Sequence, residues 1–332
     1  MQETGEIIPV PAGGTILEAG ERAGLALPHD CREGWCGTCR IRLLEGEVIY
    51  EEPPVALTQE EMEAGYALAC QGRPAGDLLI SVPASPALPE PQRYLAVLRG
   101  VRPVTPDVFH VTVEFPAGAT SDFLPGQYMN IILDDGDVRS FSMASVPGAD
   151  ILDFYLRRIT GGRFTDSHLE SLRTGDALQV ELPLGSFFYH AEDDRPLLMI
   201  ATGTGLAPIK AMLESLMETP SCPPVTLYWG MRKQEDLFLD RELRSLANHF
   251  PEFSYRPVLS RPEPGWDGRR GYVQDAAIAD LADLSGFSIY LCGSPRMIAD
   301  TKSCFLTRGA SPMHVYSEGF TVQGSTLGSF GT

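Results

Sequence analysis

Hydrophobic positions change their period twice along the chain. Up to residue 82 the apolar residues come in short alternating stretches, Glu6–Val10, Arg40–Leu44 and Leu78–Val82, around one stretch of helical spacing at Thr15–Ala23. This predicts a small β-rich domain wrapped round a helix. Residues 83–91, Pro-Ala-Ser-Pro-Ala-Leu-Pro-Glu-Pro, contain four prolines and no element-forming period, as expected of a semi-rigid linker. From Arg93 to about His190 the pattern is mostly of strands. Val108–Phe115, Tyr128–Leu133, Ile151–Arg157 and Ala177–Leu182 are separated by Pro, Gly and Asp turns, as in an antiparallel β-barrel. Beyond Arg195 short apolar strands (Pro196–Ala201, Val225–Trp229, Gly286–Cys292) alternate with helical spacing such as Ala207–Met217, which predicts a parallel α/β sheet. The expected organisation is three domains, 1–84, 93–192 and 193–332, with 85–92 as linker.

At 332 residues the chain is long enough for several domains with cores of their own. It holds no run of 18 apolar residues, so nothing is expected to span a membrane. Its start, Met-Gln-Glu-Thr-Gly-Glu, lacks the basic and apolar regions of a signal peptide, and a cytoplasmic protein is expected. The net charge is −18, and residues 1–90 carry 15 Asp/Glu against 5 Arg and no Lys, a net of −10. Nucleic-acid binding is disfavoured, because phosphate contacts need a basic face. The acidic N-terminal region reads either as a well-solvated surface or as a docking face for a basic patch on a redox partner.

Cysteine spacing carries the most specific chemistry. Cys31, Cys36, Cys39 and Cys70 form C-x4-C-x2-C followed after thirty residues by a fourth cysteine, the ligand pattern of a plant-type [2Fe–2S] cluster. Gly34 and Gly37 supply the positive φ that a loop folded tightly round such a core needs. A structural zinc site would show a second C-x2-C or a His pair, and neither is present. His29 adjoins the loop, but four cysteines already complete the site, leaving this histidine a supporting or surface role. The chain is therefore expected to carry single electrons. Cys222, Cys292 and Cys304 are left as free thiols, which suits a reducing compartment.

Two further motif groups follow. Arg139-Ser140-Phe141-Ser142 and, about twenty residues on, Gly161-Gly162-Arg163-Phe164-Thr165 offer what a flavin adenine dinucleotide requires. Arg139 and the Gly-Gly stretch suit its pyrophosphate, Ser142 suits N5, and Phe141 suits the ring. Each motif alone also fits plain barrel packing; their order and their spacing from the cysteine loop favour flavin. Next, Thr202-Gly203-Thr204-Gly205-Leu206-Ala207-Pro208 joins an apolar strand to a helix, the setting in which backbone approaches a pyrophosphate. Pro208 falls early in the helix, where a missing N–H costs little. Cys292-Gly293-Ser294-Pro295 again follows a strand. Cys292 reads either as a buried thiol or, beside the other motifs, as a small polarisable side chain near a nicotinamide.

Together these stretches, with Gly126-Gln127-Tyr128 and Tyr316-Ser317-Glu318-Gly319-Phe320, resemble the reductase components of bacterial multicomponent oxygenases, over almost the whole chain. The likeness is greatest to reductases serving ring-hydroxylating oxygenases for aromatic acids such as terephthalate, salicylate or benzoate. It implies a β-grasp ferredoxin domain, an antiparallel β-barrel for FAD and a Rossmann-like parallel α/β domain for the nicotinamide cofactor. It also implies that the four cysteines hold the irons, that Arg139 and Thr165 grip the flavin phosphates, and that Ser142 faces N5. Gly203 to Pro208 would shape the nicotinamide-cofactor site, Cys292 and Gly293 would flank the hydride path, and Glu318 and Phe320 would lie near the flavin. Where the family usually has Tyr the chain has Phe141, a lost hydroxyl bond of about 1 kcal/mol. Arg232 and Lys233 could clamp the 2′-phosphate of NADPH, but Glu235 and Asp236 follow at once, and the family's habit favours NADH. The implied protein is a monomer passing electrons from NADH to FAD to [2Fe–2S] to a terminal oxygenase. Two alternatives stay open: a reductase for another acceptor, such as a nucleotide-sugar deoxygenation enzyme, and a redox-sensing protein with little turnover.

Overall fold

The computed structural model describes residues 1–2, 5–25, 27–29, 32–34, 37–54, 56–82 and 88–320. Cys31, Cys36 and the first part of the proline-rich stretch lie outside the described residues.

The N-terminal unit is built round α1 (Ile16–Arg22), the longer of its two capped helices among the described residues. In α1 the Thr15 hydroxyl accepts from Glu18 N (3.2 Å) and the Glu18 carboxylate accepts from Thr15 N (3.1 Å), a capping box that fixes where the helix begins. β1 (Arg40–Glu45), β2 (Val48–Ile49), α2 (Gln59–Glu63), β3 (Tyr66–Leu68), β4 (Arg73–Pro74) and β5 (Leu79–Ser81) follow. The antiparallel order is β3-β1-β5, with β2 paired to β4, and Leu17 of α1 packs with Ile41, Leu68 and Ile80. The expected strand Glu6–Val10 is not formed. Ile7 is 96% exposed, and Pro9 has no N–H to donate to a ladder. The first residues are instead tied down by Gln2 N donating to Ile80 O at 2.9 Å.

The middle unit contains β6 (Gln92–Pro103), β7 (Val108–Glu114), β8 (Tyr128–Ile132), β9 (Val138–Ser142), β10 (Ile151–Arg157) and β11 (Ala177–Leu184). They pair antiparallel in the order β10-β7-β6-β11-β8-β9. Ala144 N, just past β9, donates to Asp153 O on β10 at 2.8 Å, which brings the two ends of that order together into a barrel-like form. The alternation is visible in β10, where Leu152, Phe154 and Leu156 are buried and Ile151 is exposed. β6 hides from a pattern reading because its register shifts between Leu98 and Gly100. The turn at Arg163–His168 is π-helical and runs into α3 (Leu169–Ser171).

In the C-terminal unit β12 (Leu197–Thr202), α4 (Leu206–Met217), β13 (Val225–Met231), α5 (Asp240–His249), β14 (Phe253–Leu259), β15 (Arg269–Arg270), α6 (Val273–Asp280), β16 (Ser288–Gly293), α7 (Pro295–Leu306) and β17 (Val315–Gly319) form a parallel sheet in the order β15-β14-β13-β12-β16-β17. Successive residues of β12 face opposite layers. Leu197, Met199 and Ala201 pack with Leu206 and Met212 of α4 and Leu243 of α5, while Leu198 and Ile200 pack with Val273 of α6 and Ile298 of α7. Burial on both faces explains why these strands read as continuous apolar runs. Strand order reverses between β12 and β16, and in such sheets ligands bind at the carboxyl ends flanking that reversal. No helix among the described residues is long and apolar enough to cross a membrane.

Candidate functional site

Glycines let the two turns at the sheet reversal touch. A Cβ on Gly205 would lie 2.4 Å from the carbonyl oxygen of Cys292. One on Gly293, whose φ is +155°, would lie 2.1 Å from Thr202 Oγ1. Gly203 takes φ +59° with open space where a side chain would point, and Trp229 Nε1 donates to its carbonyl at 3.0 Å. The short turn Gly203–Gly205, including Thr204, leads directly into α4. Pro208 is the third residue of that helix, where an N–H would have no partner within the helix. The result is a helix start and a glycine turn at the mouth of the crevice, suited to a dinucleotide phosphate.

Cys292 and Glu318 are cross-strand partners on β16 and β17. Burial first, and the Glu318 charge second, push the Cys292 thiol well above its usual range. Cys292 is thus a neutral, fully buried thiol packed with the core under α4, and not a thiolate nucleophile. Phe320 N donates to Gly293 O at 2.9 Å, and its ring packs against the same core.

On the barrel, β9 carries Arg139, Ser140, Phe141 and Ser142 at one end of the pairing order. Phe141 and Phe164 stand 5.4 Å apart, ring centre to ring centre, so the two flavin-type motifs meet. The Ser142 side chain is 7% exposed, and its Oγ has no hydrogen-bond partner among the described residues. Such an orphaned hydroxyl costs stability unless a ligand satisfies it. Ser140 is committed elsewhere, donating to Asn130 Oδ1 at 2.7 Å. Arg139 Nη1 donates to Val138 O at 2.7 Å. The Gly161 turn has φ +77° and open space above it. Gly161 N donates to Asp166 Oδ2 (2.7 Å), which with Arg158 holds the Asp166 carboxyl below its ordinary range. A Cβ on Gly162 would meet Ile159 O at 2.8 Å and Thr165 Oγ1 at 2.9 Å. Thr165 Oγ1 also accepts from Ile159 N at 3.1 Å. The Arg163 side chain lies outside the described residues. An orphaned buried hydroxyl, an aromatic pair and an open glycine turn fit a flavin nucleotide.

Of the four cysteines, Cys39 and Cys70 are described. Both are buried, with sulfurs 3.0 Å apart, a soft-donor pair that one metal ion can take up. His29 is engaged at both ring nitrogens, Nδ1 with Leu27 O (2.8 Å) and Nε2 with Arg32 (3.0 Å), in line with a supporting role.

The three sites converge. Ser186 Oγ donates to Thr38 Oγ1 of the cysteine loop at 3.1 Å. Two residues before Ser186, Leu184 pairs with Tyr128, and Tyr128 pairs with Ser142. On the other side Lys210 Nζ, in the first turns of α4, donates to Ala144 O at 2.8 Å, two residues beyond Ser142.

Comparison with known proteins agrees with this layout. Residues 1–75 match the 2Fe-2S iron-sulfur cluster binding domain, 96–189 the oxidoreductase FAD-binding domain and 199–303 the oxidoreductase NAD-binding domain. The chain is 32% identical over 327 residues to the naphthalene 1,2-dioxygenase system ferredoxin–NAD(P)⁺ reductase component of Pseudomonas putida, covering 96% of this chain and 97% of that protein. The chain belongs to the iron–sulfur flavoprotein reductases, the family of oxygenase reductase components. It is also 31% identical over 323 residues to the CDP-6-deoxy-L-threo-D-glycero-4-hexulose-3-dehydrase reductase of Yersinia pseudotuberculosis, with coverage of 96% and 97%. Among solved structures, the Amycolatopsis cytochrome P450 reductase GcoB matches with a TM-score of 0.71 and 32% identity, covering 96% of this chain and 97% of that one. As a member of this reductase family the chain is an oxidoreductase that uses a [2Fe–2S] cluster, FAD and a nicotinamide dinucleotide.

The motif stretch Gly203–Lys210 ends on Lys210 without giving it a role, and motif reading assigns none to Thr38 or Ser186. Each acts through a contact with a residue far along the chain, and the sequence signal available, a polar residue beside a motif, is too common to single any of them out.

Proposed function

We propose that this chain takes electrons from NADH and delivers them singly to a terminal oxygenase acting on an aromatic compound. Bound in these sites, the cofactors would supply hydride transfer between nicotinamide and flavin and one-electron transfer between flavin and cluster. The protein's own work is distance, orientation and exclusion of water. Ser142 offers its hydroxyl at N5, and Phe141 forms the apolar wall, backed by the buried ring of Phe164. Arg139, Arg163, Thr165 and the Gly161–Gly162 turn hold the pyrophosphate, with Ser140 bracing β9. Gly203, Thr204, Gly205 and Pro208 shape the nicotinamide-cofactor site, Cys292 and Gly293 flank the hydride path, and Glu318 and Phe320 close it. Cys31, Cys36, Cys39 and Cys70 hold the irons in a β-grasp unit.

The observation that carries this reading is the row Leu184–Tyr128–Ser142, which ends beside the Ser186–Thr38 contact. Two strand spacings of ~4.8 Å separate Leu184 from Ser142, and two residues at ~3.4 Å each lead on to Ser186, so the cysteine loop meets the barrel on the order of 15 Å from Ser142. Preference for NADH is supported by Lys233, whose ammonium pairs with Glu235 at 3.2 Å. A cytoplasmic setting is supported by Cys222, Cys292 and Cys304 standing as free thiols. The test is steady-state turnover with NADH or NADPH and with ferricyanide or cytochrome c as acceptor. Rapid reduction of both acceptors with NADH is expected; negligible turnover of either would point to a redox sensor. A second reading, a reductase for a sugar-nucleotide dehydrase, is favoured by the Yersinia relative at nearly the same identity. Reconstitution with each class of acceptor protein decides between them.

A further inference from the structure

Lysine is scarce in this chain: Lys210, Lys233 and Lys302 stand against 23 arginines. Two of these three ammonium groups reach across to a carbonyl in another unit. Lys210 bonds Ala144 of the barrel, as above. Lys302, on α7 of the parallel-sheet unit, is 3% exposed, and its Nζ donates to Ala56 O of the N-terminal unit at 3.3 Å. A Cβ built on Gly37 would lie 3.3 Å from the same Nζ. Gly37 stands between Cys36 and Cys39, so a buried cation is pressed against the cysteine loop from a different unit. Burying an ammonium is costly unless a compensating charge lies nearby. The unit it faces is strongly acidic, with a net charge of −10 over residues 1–90.

We propose that Lys302 sets the reduction potential of the cluster and couples its redox state to docking of the N-terminal unit. This rests on the assignment of the four cysteines as cluster ligands. An iron–sulfur core held by thiolates is an anion, and taking one electron from the reduced flavin adds a further negative charge. A fixed cation in a water-poor interface favours the more negative form, and net charge is one of the main determinants of such potentials. By reciprocity, reduction strengthens the grip of α7 on the loop. Lys302 is a positioning residue in this scheme and touches no substrate.

The test uses the full holoprotein and follows the cluster signal by electron paramagnetic resonance during a redox titration. Lys302→Gln, which keeps a donor for Ala56 O but drops the charge, is expected to make the reduction equilibrium at least about tenfold less favourable, a shift of ~59 mV to lower potential for one electron. The flavin potential stays in place, and Lys302→Arg, which keeps the charge, stays near wild type. An unchanged cluster potential in Lys302→Gln overturns the proposal. If that variant purifies without its cluster, wild-type protein decides by amide hydrogen exchange. Slower exchange in α7 upon reduction supports the coupling, and equal or faster exchange overturns it. Absence of any cluster signal in wild-type protein would instead sink the cysteine assignment on which the proposal stands.

Discussion

The barrel and the parallel sheet are joined by shared packing, whereas the cysteine-loop unit is joined to both by single polar contacts. The core on the α4 side of the sheet takes in Phe187 from the barrel, and Tyr155 of β10 packs against it with its ring 5.0 Å from Phe238. Phe187 also meets Tyr290 edge-on at 6.0 Å. Among the described residues, the N-terminal core, by contrast, draws only on its own unit. Its links outward include Arg40 Nη1 to Pro312 O (2.6 Å), Tyr66 Oη to Met313 Sδ (3.0 Å), Ser186 to Thr38 and Lys302 to Ala56. The difference matches the two kinds of transfer. A hydride moves only between atoms held at about 3–3.5 Å in good alignment, which calls for a stiff, packed joint. A single electron makes no such demand on contact, so a joint of separate polar bonds suffices. Packing is concentrated where a hydride moves, and polar contacts where electrons move.

The sharpest way to separate the two joints is to remove the cluster. Cys70→Ser is expected to bring cytochrome c reduction to background while leaving ferricyanide reduction, which the flavin site alone supports, within about twofold of wild type. Loss of both activities would mean that the N-terminal unit holds the rest in shape and that the two joints are not separable. Stressing the packed joint comes next in size. Gly205→Ala puts a methyl group 2.4 Å from the Cys292 carbonyl, a backbone atom that cannot swing away. The expected cost is about 2 kcal/mol in thermal unfolding, with slower flavin reduction by NADH in stopped flow. A variant with wild-type values in both would show that the turns need not touch.

Smaller effects come from the chemistry at the joint. Ser142→Ala and Cys292→Ala should each slow single-turnover flavin reduction by about tenfold or less, the worth of one hydrogen bond or well-fitted contact of ~1.4 kcal/mol. Flavin content of the purified protein should stay the same; a large loss of bound flavin in Cys292→Ala would move that residue to a purely structural role. Acid probes the same region. Burial alone would raise the Asp193 carboxyl, but Ser288 Oγ (2.6 Å), Tyr316 Oη (3.0 Å) and His314 hold it below its ordinary range. A depressed carboxyl gives stability that is present above the unfolded value near ~3.9 and is lost as pH falls through the lower folded value. Asp193→Asn should therefore flatten the acid limb of the stability curve; an unaltered limb would assign acid sensitivity to other carboxylates. The smallest effect belongs to the polar joint. Tyr66→Phe deletes two exposed contacts, the bond to Met313 and the one accepted from Arg42 Nη1, and should change cytochrome c reduction by less than about twofold.

The parts legible in the sequence are those whose signal is local. Helical spacing at Thr15–Ala23 announces α1, the apolar runs of β12 and β16 announce buried parallel strands, and Gly203-Thr204-Gly205 needs only its flanking strand and helix to be understood. The cysteine spacing belongs to the same class. What stays hidden depends on partners far along the chain. Glu6–Val10 alternates like a strand but finds no ladder, and β6 conceals its alternation behind a bulge. The π-helical turn at Arg163–His168 has no composition of its own. Cys292 can be read as a core thiol or a site residue; it lies in the core, opposite Glu318 on the next strand, and its place beside a nicotinamide belongs to the proposed function. Lys210, at the end of the Gly203–Lys210 stretch, and Lys302 show no role in the sequence because their meaning lies in which unit each one reaches.

The most direct test of the relay is an anaerobic titration of the purified protein with NADH, followed by optical absorbance and electron paramagnetic resonance. The expected result is bleaching of the flavin band together with growth of a rhombic signal from a reduced [2Fe–2S] cluster. Bleaching of the flavin with no cluster signal, even after dithionite is added, would contradict the four-cysteine site and with it the relay from flavin to cluster.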